Sequence, residues 1–232
     1  SLIGLGGMGK TRLALEAARR ANEEHALLFL NGVMFVSLTA VSSPEAVPQA
    51  IVQALNLVVG GQKNLEQQLI HHLRSREMLL VLDNFEQLLD ATPLLSKILN
   101  RCPAVKLLVT SREPLQLAAE WRLDIAGLSL PEEKAEPENG RYASAVELFA
   151  QMAAQVRPGF ALSAENAAEI GDICRLLSGV PLAIKLAASW LRLMSVPQVI
   201  EEISRSLDFL ASRMRDIPAR QHSMRAVFSY TW

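Results

Sequence analysis

Apolar residues arrive along this chain in two rhythms. Short runs at 2–3, 33–38, 78–82 and 105–109, with a more mixed one at 121–128, alternate with stretches in which apolar residues return every three or four positions. Runs of that length between helical stretches predict strands of a parallel sheet buried on both faces, because each parallel crossover carries a helix. The first helical stretch shows Leu13, Ala14, Ala17, Ala18 and Ala21. Ser43 and Pro44 then sit where an N-cap and first turn are expected, ahead of a face made by Val47, Ala50, Ile51, Ala54 and Leu55. Asn64 opens a third helix (Leu65, Leu69, Ile70, Leu73) and Pro93 a fourth (Leu94, Leu95, Ile98, Leu99). From residue 141 on, only the helical rhythm remains. Ala145, Leu148, Phe149, Met152, Ala153 and Val156 mark one helix, and Ser163 caps another bearing Ala167, Ile170, Cys174 and Leu177. Gly179-Val180-Pro181-Leu182 interrupts before a stripe of Ala183, Leu186, Ala187, Trp190, Leu191 and Met194.

Between the first strand and first helix stands Gly4-Leu5-Gly6-Gly7-Met8-Gly9-Lys10-Thr11, which meets every position of the phosphate-loop pattern G-x-x-x-x-G-K-[ST]. Glycines at 4, 6, 7 and 9 supply backbone freedom, so that N–H groups can converge on an anion at a helix N-terminus. Lys10 places a charge on the β- and γ-phosphates, and the Thr11 hydroxyl is a hard oxygen ligand for Mg²⁺. With Met8 and Arg12, these are the candidate nucleotide contacts. Such a loop belongs to a parallel sheet, so 33–38 is read as a sheet strand; Asn31-Gly32 after the apolar run 26–30 leaves a hairpin as the alternative. The run 78–82 ends in Asp83, placed to hold Mg²⁺ from a strand's C-terminal end. Glu86 is either a base for activating water or a carboxylate at a helix N-terminus. The run 105–109 ends in Thr110-Ser111-Arg112, polar groups at the crevice end of a strand, and Arg112 either reaches a γ-phosphate or is solvated.

Composition narrows the classes. At 232 residues, half of them apolar, the chain suffices for two cores. A net charge of −1 gives no nucleic-acid footprint, and no apolar run reaches a membrane span. Cys102 and Cys174 are far apart, which fits a reduced cytoplasmic compartment and no zinc site. Adjacent His71 and His72 diverge by about 100° on a helix and are read as surface residues. The run 131–140 carries four glutamates against one lysine and reads as an acidic linker. The expected division is therefore a nucleotide-binding domain at 1–130, a linker at 131–141, a helical domain at 142–204, and a further segment at 205–232. The chain is expected to be a fragment, since it opens three residues before the loop.

In order, Gly4 to Thr11, Leu79-Leu80-Val81-Leu82-Asp83-Asn84, Leu107-Leu108-Val109-Thr110-Ser111-Arg112 and Gly179-Val180-Pro181-Leu182-Ala183 resemble the signal-transduction ATPases with numerous domains (STAND). Within them, the chain resembles the NB-ARC-like ATPases of bacterial LuxR/AfsR-like transcriptional regulators. The resemblance implies a P-loop NTPase with a five-stranded parallel sheet in order 5-1-4-3-2, an all-helical domain, and the start of a truncated winged-helix domain at 205–232. It implies that Pro181 and Leu182 contact the adenine and that Arg112 senses the γ-phosphate. It implies an ATP/ADP switch with Mg²⁺, closed with ADP and open with ATP, that self-associates in the ATP state and serves sensor and effector domains outside the chain. Asn84, where many relatives carry an acid, implies slow hydrolysis. The alternatives are a P-loop phosphotransferase or kinase, against which the helical domain and the absence of a basic lid argue, and a scaffold holding nucleotide as structural glue.

Overall fold

The computed structural model describes residues 1–60, 64–132 and 141–205. Most of the 131–140 linker and all but Arg205 of the 205–232 segment lie outside these residues. Five strands, β1 (Leu2–Ile3), β2 (Val33–Ser37), β3 (Met78–Asp83), β4 (Val105–Ser111) and β5 (Leu123–Asp124), form one sheet in order β2-β3-β4-β1-β5. Every neighbouring pair is parallel. This is the expected order 5-1-4-3-2.

The sheet is covered on both faces, and β3 shows how. All six of its residues are buried. Met78, Leu80 and Leu82 join a core with the helices α2 (Val47–Ala54), α3 (Leu65–Leu73) and α4 (Thr92–Arg101). Leu79 and Val81, on the other face, pack with Ala14 and Ala18 of α1 (Lys10–Glu24). Alternation along one strand thus feeds two cores, and a polar residue at 79 or 80 would be buried either way.

The hairpin alternative is not formed. Residues Ala26–Leu28 make a single 3₁₀ turn, and β2 lies parallel to β3 with Val33 opposite Leu79. Asn31 instead docks the start of β2 on the residue before β3: its backbone N–H donates to the Glu77 carbonyl at 2.9 Å, and its side-chain oxygen accepts from the Glu77 N–H at 2.8 Å. The strand expected at 121–128 shrinks to two residues because its partner β1 has only two. Ser43 makes no side-chain cap, and a 3₁₀ turn at Pro44–Ala46 precedes α2. Asn64 does cap α3, accepting from the Glu66 N–H at 2.9 Å. Leu13 stands off the buried face of α1 at 41 % exposure, leaving alanines to set the close approach to the sheet.

The described chain forms two compact units, Ser1–Gly4 with Lys10–Ile125, and residues 5–9 with those from 126 onward. The second unit is helical: α5 (Ser144–Val156), α6 (Ala164–Leu176), α7 (Pro181–Ser189) and α8 (Val196–Arg205) enclose Phe149, Ile170, Cys174, Ile184 and Val199. Ser163 and Asn166 form a reciprocal capping box at the start of α6. The stripe after Pro181 does not run as one α-helix, since α7 ends at Ser189 and Trp190–Arg192 tighten into a 3₁₀ turn.

Candidate nucleotide-binding site

In the first unit, strand ends and the start of α1 gather charge and hydroxyls. Lys10 is 9 % exposed, and its ammonium donates to the Gly4 carbonyl at 2.6 Å. Burial lowers its pKa, against the pull of Glu86 and Asp83, which raise it; the Arg112 charge lowers it further. Buried Asp83 accepts hydrogen bonds on Oδ1 from the hydroxyls of Thr11 and Thr110, each at 2.7 Å. Thr110 Oγ1 in turn accepts from the Asn84 N–H at 2.9 Å. Asn84 has φ +71, a left-handed conformation that Asn tolerates through its short polar side chain, so the chain turns sharply off β3 there. Arg112 Nε donates to Glu86 Oε1 at 3.2 Å, with the Glu86 side chain 12 % exposed.

Thr110, in the sequence only one of three polar residues at the crevice end of a strand, has a definite place at the site. Its signal was polarity at the end of an apolar run, but only the β3–β4 register, with Leu82 opposite Val109, sets it beside Asp83. Its side chain locks the carboxylate and closes the turn after β3 with one hydroxyl.

In the second unit, the loop residues and the Gly179-Val180-Pro181 turn pack together. Gly7 and Gly9 have φ of +77 and +88, so these two, rather than all four loop glycines, supply the left-handed angles. Gly4 serves the first unit differently: a Cβ there would lie 2.9 Å from the Ile125 carbonyl oxygen. The Leu182 N–H, in the first turn of α7, donates to the Gly7 carbonyl at 3.2 Å. A Cβ on Gly7 would approach that of Leu182 to 2.9 Å. The half-buried Met8 packs against the helical core. Gly6 is half-buried, and Arg12 is exposed on α1. Pro181, half-buried at N1 of α7, directly precedes the residue bonded to the loop.

These residues fit a nucleoside phosphate with Mg²⁺. Lys10 is a buried cation that directly follows, in the chain, a loop with left-handed glycines at 7 and 9, and a Cβ on Gly9 would meet nothing within 4 Å. The Thr11 hydroxyl and the Asp83 carboxylate, 2.7 Å apart, are hard oxygen donors of the number Mg²⁺ takes from protein when phosphates and waters complete its shell. No group of three or more His, Cys, Asp or Glu side chains suited to a metal occurs among the described residues. His71 and His72 lie on α3, the first exposed and the second half-buried. No helix among the described residues is long and apolar enough to cross a membrane.

A parallel sheet in this order, opening its first strand into such a loop, defines a P-loop NTPase fold. Residues 1–117, just over half of the chain, match the AAA domain, and the chain belongs to that family. The whole chain is 35 % identical over 232 residues to the "Putative HTH-type transcriptional regulator Rv0890c" of Mycobacterium tuberculosis, covering 24 % of that protein. It is 28 % identical over 198 residues to the "Regulatory protein AfsR" of Streptomyces griseus, a match covering 82 % of this chain and 18 % of that one. The chain thus spans about a quarter of the length of the first of these relatives. Among solved structures, the ADP form of the Aeropyrum pernix ORC2 protein superposes with a TM-score of 0.55 at 15 % identity, covering 88 % of this chain and 61 % of that one. A STAND protein with a tetratricopeptide repeat sensor from Pyrococcus horikoshii gives 0.50 at 16 % identity, covering 88 % of this chain and 29 % of that one. At these identities the likeness is one of fold.

Proposed function

We propose that this chain is the ATP/ADP-binding switch of a multidomain, cytoplasmic signalling or transcriptional regulator, of the NB-ARC-like STAND kind. The observation that carries the reading is the hydrogen bond from Leu182 N–H to Gly7 O, because it ties the phosphate loop to the turn that bears Pro181. A nucleotide whose phosphates sit on the loop then has its base within reach of a rigid, apolar proline ring at a helix N1 position. In this reading Lys10 holds the β- and γ-phosphates, Thr11 and Asp83 hold Mg²⁺, and Arg112 faces the γ-phosphate. Bound Mg²⁺ neutralises phosphate charge. Residues 1–130 form the nucleotide-binding domain, 142–204 the helical domain after the linker 131–141, and 205–232 begin a winged helix. ADP holds the closed state, ATP releases it for self-association, and slow hydrolysis resets it. The relatives named for transcriptional regulation, and the share of their length beyond this match, support placing sensor and effector functions elsewhere.

A ligand shifts a conformational equilibrium only by its differential affinity for the two states, so ADP contacts from both the loop and Pro181 are what the switch requires. Fluorescent ADP is expected to bind the parent, to bind Pro181→Gly more weakly, and to lose about tenfold or more in affinity on Lys10→Ala, the effect of removing a charge-assisted contact of ~1.5–3 kcal/mol. Small-angle scattering should show the parent compacting with ADP and Pro181→Gly failing to do so. A parent that binds ADP but keeps one shape throughout leaves a nucleotide scaffold. Lys10→Ala binding within about twofold of the parent rejects the loop assignment altogether.

A further inference from the structure

Four charged side chains of the first unit influence one another around the lysine of the loop. Lys10 is buried, and the charges that shift it are Glu86, Arg112 and Asp83. Asp83 is occupied by two hydroxyl donors. Glu86 is different. One of its oxygens, Oε1, accepts from Arg112 Nε, while its other, Oε2, is buried with no hydrogen-bond partner among the described residues. A buried carboxylate oxygen left unsatisfied costs free energy, so the arrangement carries a functional reason or a built-in tendency to rearrange.

Resting on the nucleotide reading above, we propose that Glu86 is a specificity-determining residue that clasps Arg112 and thereby favours nucleoside diphosphate over triphosphate at this site. The order of the chain makes the clasp. Asn84 turns the backbone left-handed off β3, which carries Glu86 into a 3₁₀ turn at Phe85–Gln87, and Phe85 anchors that turn in the core. Arg112 follows the last residue of β4, whose register with β3 is fixed by five residue pairs. The carboxylate is therefore delivered by a core-anchored turn after β3 and the guanidinium by the residue that follows β4.

The consequence is electrostatic. A diphosphate on the loop needs Lys10 and leaves the Glu86–Arg112 pair intact. In this reading a third phosphate adds negative charge to a site whose lysine already feels the Glu86 carboxylate, and it must share the Arg112 guanidinium with a carboxylate that already draws on its charge. Both effects penalise the triphosphate, and both vanish when the Glu86 charge is removed. A partly buried pair is screened less than a surface pair, so the penalty survives at physiological salt. The same clasp argues against Glu86 as the base that activates water, because Oε1 already accepts from the Arg112 guanidinium.

The experiment compares equilibrium dissociation constants for fluorescent ADP and a fluorescent non-hydrolysable ATP analogue, with Mg²⁺, on the full 232-residue chain. Glu86→Gln is expected to raise triphosphate affinity relative to diphosphate by about tenfold, chiefly by tightening the triphosphate. Arg112→Ala, which leaves Glu86 charged and without its clasp, should move the same ratio the opposite way. Glu86→Ala repeats the first expectation if the amide disturbs folding, and far-ultraviolet circular dichroism verifies each fold. A ratio within twofold of the parent in both Glu86 variants overturns the inference, as does a loss of turnover at an unchanged ratio, which is the behaviour of a base. A parent that binds neither nucleotide overturns the underlying reading instead, so the two failures are told apart by the parent alone.

Discussion

Asp83 shows how much a single side chain is asked to do at this site. Its Oδ1 takes two hydroxyl protons, one from Thr11 at the start of α1 and one from Thr110 at the end of β4. The two donors differ in surroundings. Thr110 is buried and also satisfies the Asn84 N–H, whereas Thr11 is an exposed residue. Replacing Thr110 by valine keeps the volume but strips the buried Asp83 carboxylate of a donor and the N–H of half-buried Asn84 of its acceptor, so it is expected to cost about 1–3 kcal/mol of stability. Thr11→Val should cost less than about 1 kcal/mol yet weaken Mg²⁺-dependent nucleotide binding more than Thr110→Val does. Urea unfolding and nucleotide titration on the two variants make the comparison, and the reverse ranking would mean that the Thr11 hydroxyl is structural. The cysteines carry no comparable chemistry: both are fully buried, and burial pushes the Cys174 thiol up to about 12.

Among the elements, the turn before α7 is held by a close backbone approach. Gly179 has φ +67, and a Cβ there would lie 2.4 Å from the Leu128 carbonyl oxygen. Gly127, on the facing segment, would put its own Cβ 2.5 Å from the Ser178 carbonyl oxygen. Between them the Leu128 N–H donates to the Gly179 carbonyl at 2.8 Å. Two stretches of backbone thus lie against each other with no room for a side chain on either, and this contact fixes where α7 begins. Gly179→Ala must combine a left-handed alanine with a backbone clash, and is expected to destabilise the helical unit by about 1–3 kcal/mol or more. Ser163→Ala, which removes only one arm of the α6 capping box, provides a reference of about 1 kcal/mol. Thermal melts followed by helical circular dichroism rank the two, and a Gly179 variant milder than the Ser163 variant contradicts the close-approach account.

At the scale of the molecule, the chain divides at residues 4–5, 9–10 and 125–126, so the phosphate loop belongs with the helical unit while the strand and helix that flank it belong with the sheet. A ligand held by the loop together with Lys10, as proposed above, is expected to stabilise more than a local segment. With Mg²⁺ and ADP at about a hundredfold above Kd, linkage gives ~2.7 kcal/mol, which for a chain of this length is a rise in melting temperature of roughly 5–10 °C. Differential scanning calorimetry should show both units shifting. If only one transition moves, nucleotide stabilises a single unit and the switch reading loses its coupling.

The sequence by itself determined the strand–loop–helix order, the parallel sheet, the change from mixed to purely helical rhythm, and the residue types at the phosphate site. It could do so because these depend on local periodicity and on chemistry that tolerates only glycine, lysine, hydroxyl or carboxylate at given spacings. The strand order 5-1-4-3-2 was legible only through resemblance, since periodicity says that strands exist and not which ones pair. Tertiary structure alone decided that Asn31-Gly32 docks on Glu77 rather than closing a hairpin, because both outcomes satisfy the same local turn chemistry. It also decided that Thr110 shares Asp83 with Thr11, and that Arg112 reaches Glu86 across 26 residues. Such contacts are set by register between strands distant in the chain, which no local pattern encodes.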